Sequence, residues 1–152
     1  MDDALYDGSA ERVVIDMRYV SGGNGGLSDP LVEAVMRDER INRPSGLTVP
    51  IGRENYSAGT VLAGALDRRT EAVLIGEPTP ARADGFLCPC ENIPLQSSPY
   101  VVVIPTDFLA NGDTRDAVIP DMPFALTAAD FFAGKDPALE LALSGIAPSP
   151  SP

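Results

Sequence analysis

The stretch LTVPIGRENYSAGTVLAGALDRRTEAVLIGE, Leu47 to Glu77, decides the fold. An apolar run ending at Ile51 stops at Gly52, and a polar turn then carries Tyr56-Ser57-Ala58-Gly59 into Val61, Leu62, Ala65 and Leu66, which recur at helical spacing. Two arginines and Thr70 follow, then a second apolar run, Ala72 to Ile75, closed by Gly76-Glu77. Strand, sharp turn, helix, strand is the unit of an α/β protein. Ser57 therefore falls at a strand-to-helix corner, where it has two readings. As an N-cap its hydroxyl would accept from the first turn of the helix. As a nucleophile it would exploit the free N–H groups and positive dipole end of that same turn, which stabilise a developing oxyanion.

Composition narrows the chemistry around that serine. The chain has 152 residues, enough for one domain with a real core, and 44% of them are hydrophobic. Twenty-two acidic residues face 11 basic ones, a net charge of -11 that repels phosphate backbones, so nucleic acid is not an expected partner. No apolar run has the ~18 residues of a membrane span. No basic start followed by an apolar stretch and a cleavage site is present, and the compartment stays open. Histidine is absent, which excludes an internal Ser-His-Asp triad, an imidazole base and a histidine metal ligand. Cys88-Pro89-Cys90 is too short for an ordinary disulfide and too small for a four-ligand metal site, so it reads as two half-buried residues after a strand. No cofactor is implied.

Upstream of the central stretch, Arg12 to Met17 reads as a buried strand with Asp16 at its end, followed by a turn holding Gly22, Gly23, Gly25 and Gly26. No lysine follows these glycines in the P-loop spacing, and the dinucleotide fingerprint is not matched. They read either as an N–H-presenting turn or as a flexible surface turn, and Asp16 and Arg18 can form a salt bridge that holds it. Ser28-Asp29-Pro30 starts a helix with Leu31, Val32, Val35 and Met36 on its apolar side. Residues 41–46 form a loop.

Downstream, EPTPARADGF from Glu77 is a loop, and Tyr100 to Ile104 is a β-branched strand ended by Pro105. Thr127 to Phe132 is a short helical turn, and Asp136-Pro137 opens a last helix with Leu139, Leu141, Ala142 and Leu143. The organisation expected is a polar segment over 1–11, an α/β core over 12–145 and a Pro/Ser-rich disordered tail over 146–152.

The run GRENYSAGTVLAGALDRRTEAVLIGEPT resembles the core domain of the C-terminal processing, or tail-specific, serine peptidases and their tricorn-like relatives. DMRYVSGGN resembles that family's Asp-Leu-Arg-x-Asn-x-Gly-Gly turn at Asp16, Arg18, Gly22 and Gly23, and departs from it at Val20. The resemblance implies an α/β fold with the crotonase/ClpP-like superhelical core, N-terminally incomplete, since relatives carry about a hundred or more residues before this strand. It implies Ser57 as nucleophile, with N–H groups of Ala58 and of Gly22 or Gly23 as the oxyanion hole, and a peptide or protein as substrate. It also permits export of a longer form.

Two supporting positions depart from the pattern. The family's general-base lysine stands 25 residues after the serine, and here that residue is Arg82; the glutamine four residues on is Phe86. A guanidinium cannot be emptied of its proton as a lysine can. The single lysine, Lys135, lies far downstream. In the tricorn-like branch an upstream histidine is the base and a downstream acid supports the site; Asp113 or Asp116 falls where that acid would stand, or is a loop cap or solvated charge. The expectation is a serine-type peptidase fold with little turnover as this chain alone. The alternatives are a non-catalytic peptide- or lipid-binding module, and a truncated sheet whose open edge or apolar face favours homo-oligomers.

Overall fold

The computed structural model describes residues 10–145, with 86–89 and 109 taken by backbone alone. The expectations for most of segment 1–11, for the tail 146–152, and for the side chains of Phe86 and Cys88 lie outside the described residues.

A four-stranded parallel sheet, in the order β1 (Val13–Val14), β2 (Leu47–Ile51), β3 (Val73–Gly76), β6 (Met122–Pro123), forms the body. Every residue of the two central strands is buried, as near-continuous apolar strands in a sheet covered on both faces must be. Alternation along them assigns the two faces. Leu47, Val49, Ile51 and Leu74 join one core with α1 (Ser28–Arg37) and α2 (Ala58–Arg69), through Val32, Val35, Ala63 and Leu66. Val73 and Ile75 point the other way and meet Ala142 and Leu141 of the last helix, α4 (Pro137–Ser144).

The outer strands are short, and side chains complete the ladder beside one of them. β6 pairs with β3 at two positions only, Ile75 with Met122 and Gly76 with Pro123, and the Asp121 carboxylate accepts the next N–H, that of Leu74, at 2.8 Å. On the other side, Arg12 to Met17 is classified as strand only at Val13–Val14, although Ile15 and Met17 still donate to Thr48 and Pro50 of β2 at 3.0 and 2.9 Å.

Local signals placed the helix starts. Thr127 caps α3 (Ala128–Phe132) through the N–H of Asp130, and Asp136 caps α4 through that of Leu139, with Pro137 at the first turn. α1 begins differently from the expected polar cap. A 3-10 turn at Gly25–Leu27 feeds it, and Leu27, with no side-chain bond to offer, holds the N-cap position.

The largest departure is a two-stranded antiparallel ribbon, β4 (Gly85–Pro94) with β5 (Val101–Leu109). β5 does not end at Pro105. The proline lies opposite Cys90, where the register shifts between Leu87 and Cys90, so the missing N–H falls at an irregularity in the ladder. Cys90 is half-buried, as expected, but disulfide-bonded, which corrects the reading that the cysteines stand too close together for a disulfide. Among the described residues no helix is long and apolar enough to cross a membrane.

Candidate functional site

Ser57 sits immediately before the first residue of α2 with φ 53° and ψ -125°. Those angles belong to the region that glycine tolerates and side chains do not, at a cost of about 1–3 kcal/mol. The hydroxyl makes no capping bond to the helix and is exposed to solvent. The turn thus has the geometry of a strained strand-to-helix elbow, which lifts a serine out of the helix start instead of using it to close that start.

Three contacts hold the elbow. Tyr56 donates its N–H to the carbonyl of Val20 at 3.0 Å, joining the glycine turn to the serine turn. Gly59 donates to the carbonyl of Tyr56 at 2.9 Å, and the Thr60 hydroxyl donates to the carbonyl of Asn55 at 2.9 Å. Close approach explains why glycine stands at 59: a Cβ there would lie 2.5 Å from the Val20 carbonyl oxygen. Sequence reading missed this contact. A signal was present, because a glycine inside a helix costs about 1 kcal/mol and often marks a packed backbone. Asn55, fully buried two residues before Ser57, carried no such signal.

The glycine turn lies directly against the serine. A Cβ on Gly22, whose φ is +121°, would come within 2.7 Å of the Ser57 Cβ and 3.2 Å of its Oγ. Gly23, at φ +137°, has nothing within 4 Å of the equivalent point. Among the described residues the backbone N–H groups of Gly22, Gly23 and Ala58 meet no acceptor. Ser57, Ala58 and Gly22 are therefore assembled in one place, with Gly23 beside them.

Arg18 anchors the start of the glycine turn. Its guanidinium donates to both oxygens of Asp136, each at 2.8 Å, and to Asp16 at 2.9 and 2.6 Å. These bonds hold both carboxyls below their ordinary value and push the guanidinium further up. The Asp16–Arg18 pair is thus structural and extends to the N-cap of α4. Beside it, at the C-terminal ends of β2 and β3, a cleft of about 220 Å³ is lined in part by Tyr19, Gly52, Arg53, Phe124 and Leu126. An Arg53–Glu77 pair at 2.7 Å stands at this cleft.

The supporting residues named from the sequence form a separate cluster. Arg82 donates to Asp84 at 2.8 Å and lies 3.7 Å from Asp116, and its guanidinium is pushed further up, first by the Asp84 bond. Asp113 is buried between Arg115 at 2.8 Å and Arg68 at 3.0 Å, while Arg115 also grips Asp67 at 2.6 Å. A Cβ on Gly64 would touch Ala83 and Asp113, which places Asp113 along the second half of α2. At 1.5 Å per residue, Gly64 is about 10 Å along the helix from Ser57. The cluster clamps the loops around Ala83 and Asp113 to the helix, and Asp113 is brought to Arg68 instead of to the serine. Thr79 does similar work nearby, its hydroxyl accepting from Val118 and donating to the carbonyl of Ala81.

No family model matches the sequence, and no curated protein does. Solved structures do match. One is a presumed peptidase from Parabacteroides merdae ATCC 43184, with a TM-score of 0.64 and 16% identity over 93% of this chain and 54% of that one. Another is a photosystem II D1 C-terminal processing protease, with a TM-score of 0.53 and 19% identity over 80% of this chain and 36% of that one. A third is a presumed S41 protease from Bacteroides fragilis NCTC 9343, with a TM-score of 0.55 and 12% identity over 80% and 39%. At these identities the likeness is one of fold: a mixed α/β body with a parallel sheet like that of these peptidases. The chain spans between about a third and about half of the length of these structures.

Proposed function

We propose that the chain carries the acyl-transfer centre of a serine-type peptidase, in the C-terminal part of a crotonase-like core, with Ser57 as nucleophile. The observation that carries this reading is the backbone of Ser57, held at positive φ with its hydroxyl free of the helix it precedes. A residue needed only as a cap would sit in the extended region and bond to the helix. The unpartnered N–H groups of Ala58 and Gly22 supply what the tetrahedral intermediate requires, fixed donors that meet charge as it develops.

In the reaction, Ser57 Oγ adds to the peptide carbonyl as its proton passes to a base; the carbonyl oxygen becomes the oxyanion, and collapse expels the amine to leave an acyl-enzyme that water hydrolyses. The sequence contains no histidine, and the Arg82 guanidinium is bound to Asp84, so neither supplies the base. The isolated chain is therefore a weak or inactive peptidase; Asp113 acts through the clamp on α2, and Asp116 is an exposed charge beside Arg82. The test is covalent labelling by a fluorophosphonate, read by intact mass against Ser57→Ala. Labelling lost in the variant supports the reading; labelling that persists in the variant, or none in a folded sample even at raised pH, where hydroxide stands in for the missing base, overturns it.

The pairing of Arg82 favours a second reading, a non-catalytic module that binds peptides or lipids at the cleft. Saturable binding unchanged in Ser57→Ala, together with absent labelling, would select it.

A further inference from the structure

The β4–β5 ribbon is unlike the rest of the molecule. Among the described residues no third strand joins it, and its two strands contact chiefly each other. Val101, Val102, Val103 and Ile104 are consecutive, so they point alternately to the two faces, yet they are exposed by 51, 42, 57 and 42%. Tyr100 at their head is 72% exposed. A two-stranded ribbon with apolar residues on both faces is marginal in water, and soluble proteins blunt such edges with charge, lysine or proline. The segment Tyr100 to Ile104 has none of these, whereas β4 is interrupted by Pro89 and ends at Pro94.

Charge selects the partner. The chain carries -11, which opposes the meeting of two copies almost anywhere on their surfaces. Residues 92–106, from Asn92 to Thr106, are the longest run of the sequence without an acidic or basic side chain, and they form the distal part of this ribbon. A basic partner would be drawn to the acidic body and would gain nothing at a neutral strip. A second copy of this chain meets no like charge there and brings an equally apolar edge.

We propose that β5 is a self-association edge, on which two copies pair antiparallel about a two-fold axis at Val102 to give a four-stranded intermolecular sheet. That register centres the charge-free, proline-free segment on itself: Val102 faces Val102, Val101 faces Val103, and Tyr100 faces Ile104. The opposed side chains are β-branched or aromatic, the arrangement that stabilises cross-strand pairs, and a two-fold contact of this kind closes at a dimer.

The experiment is a sedimentation-velocity series on the full chain and on Val102→Lys and Val102→Glu, with far-UV circular dichroism confirming that each variant is folded. The wild type is expected to be dimeric. Each variant alone should be monomeric, because like charges stand opposed at the axis, with dissociation at least tenfold easier than in the wild type. An equimolar mixture should restore the dimer through a Lys–Glu pair. A monomeric wild type overturns the proposal, as do variants that remain dimeric, or a mixture that stays monomeric.

Discussion

Gly22 and Ser57 touch so closely that no side chain fits between them: a Cβ on Gly22 would lie 2.7 Å from that of Ser57. The separation is below any real Cβ contact, and it involves two backbone turns tied by the Tyr56–Val20 hydrogen bond, so neither can swing away freely. Gly22→Ala is expected to lower stability by about 1–3 kcal/mol and to slow fluorophosphonate labelling at Ser57 by more than tenfold. Gly23→Ala adds backbone strain without a clash and should have the smaller effect on labelling. Thermal melts and labelling rates of the two variants check the order.

Replacing Ser57 by glycine tests the elbow without any assay of chemistry. If the hydroxyl were a cap, its removal would cost about 1 kcal/mol. Because the residue sits at φ 53° and caps nothing, Ser57→Gly relieves strain, and it should be about 1 kcal/mol more stable than Ser57→Ala. Urea denaturation gives the sign, and a glycine variant less stable than the alanine one would count against the strained elbow.

Asp113 gives a pH dependence. Its bond to Arg115 holds the carboxyl below the ordinary value of 3.8. A depressed pKa in the folded state means that the stabilisation is complete above the unfolded value and drains away as pH falls through the folded one. Asp113→Asn should therefore cost about 2 kcal/mol near neutral pH, from charged hydrogen bonds lost beside Arg68 and Arg115. The gap between wild type and variant should narrow as pH falls below about 4. A gap that widens on acidification would refute the assignment.

Arg82→Lys places an amine where the resemblance expects a general base. Asp84 and Asp116 remain beside it, and a neighbouring carboxylate favours the protonated amine. No gain in labelling rate at Ser57 is expected near neutral pH. A tenfold gain would show that the amine reaches the serine unprotonated and that the surrounding acids do not control it.

The central βαβ unit was legible because its signals are local: buried strands read as continuous apolar runs, the elbow as a polar break, and the helix starts as Thr127 and Asp136-Pro137. The ribbon was legible only in half. β5 announces itself through its valines, but its partner β4 holds Pro89 and Pro94, and only pairing across the bulge makes a strand of it. The assembly of Gly22 with Ser57 accords with the motif order in the sequence. The partner of Asp113 does not follow from any motif, because a carboxylate in a loop takes whichever arginine the tertiary fold presents. Here these are Arg68, on the far half of α2, and Arg115, two residues on.

The bridge from Arg18 to Asp136 joins residues 118 positions apart, which sets an order of events during biosynthesis. At ribosomal speeds of about 5–20 residues per second, the bend leading to Gly22 emerges on the order of ten seconds before the carboxylate that fixes it. From the time Ser57 has been made, the nascent polypeptide has the serine turn but still lacks the clamp on the neighbouring glycines. The glycine turn is therefore clamped only once translation has passed Asp136, so a chain shorter than that holds the bend without its anchor.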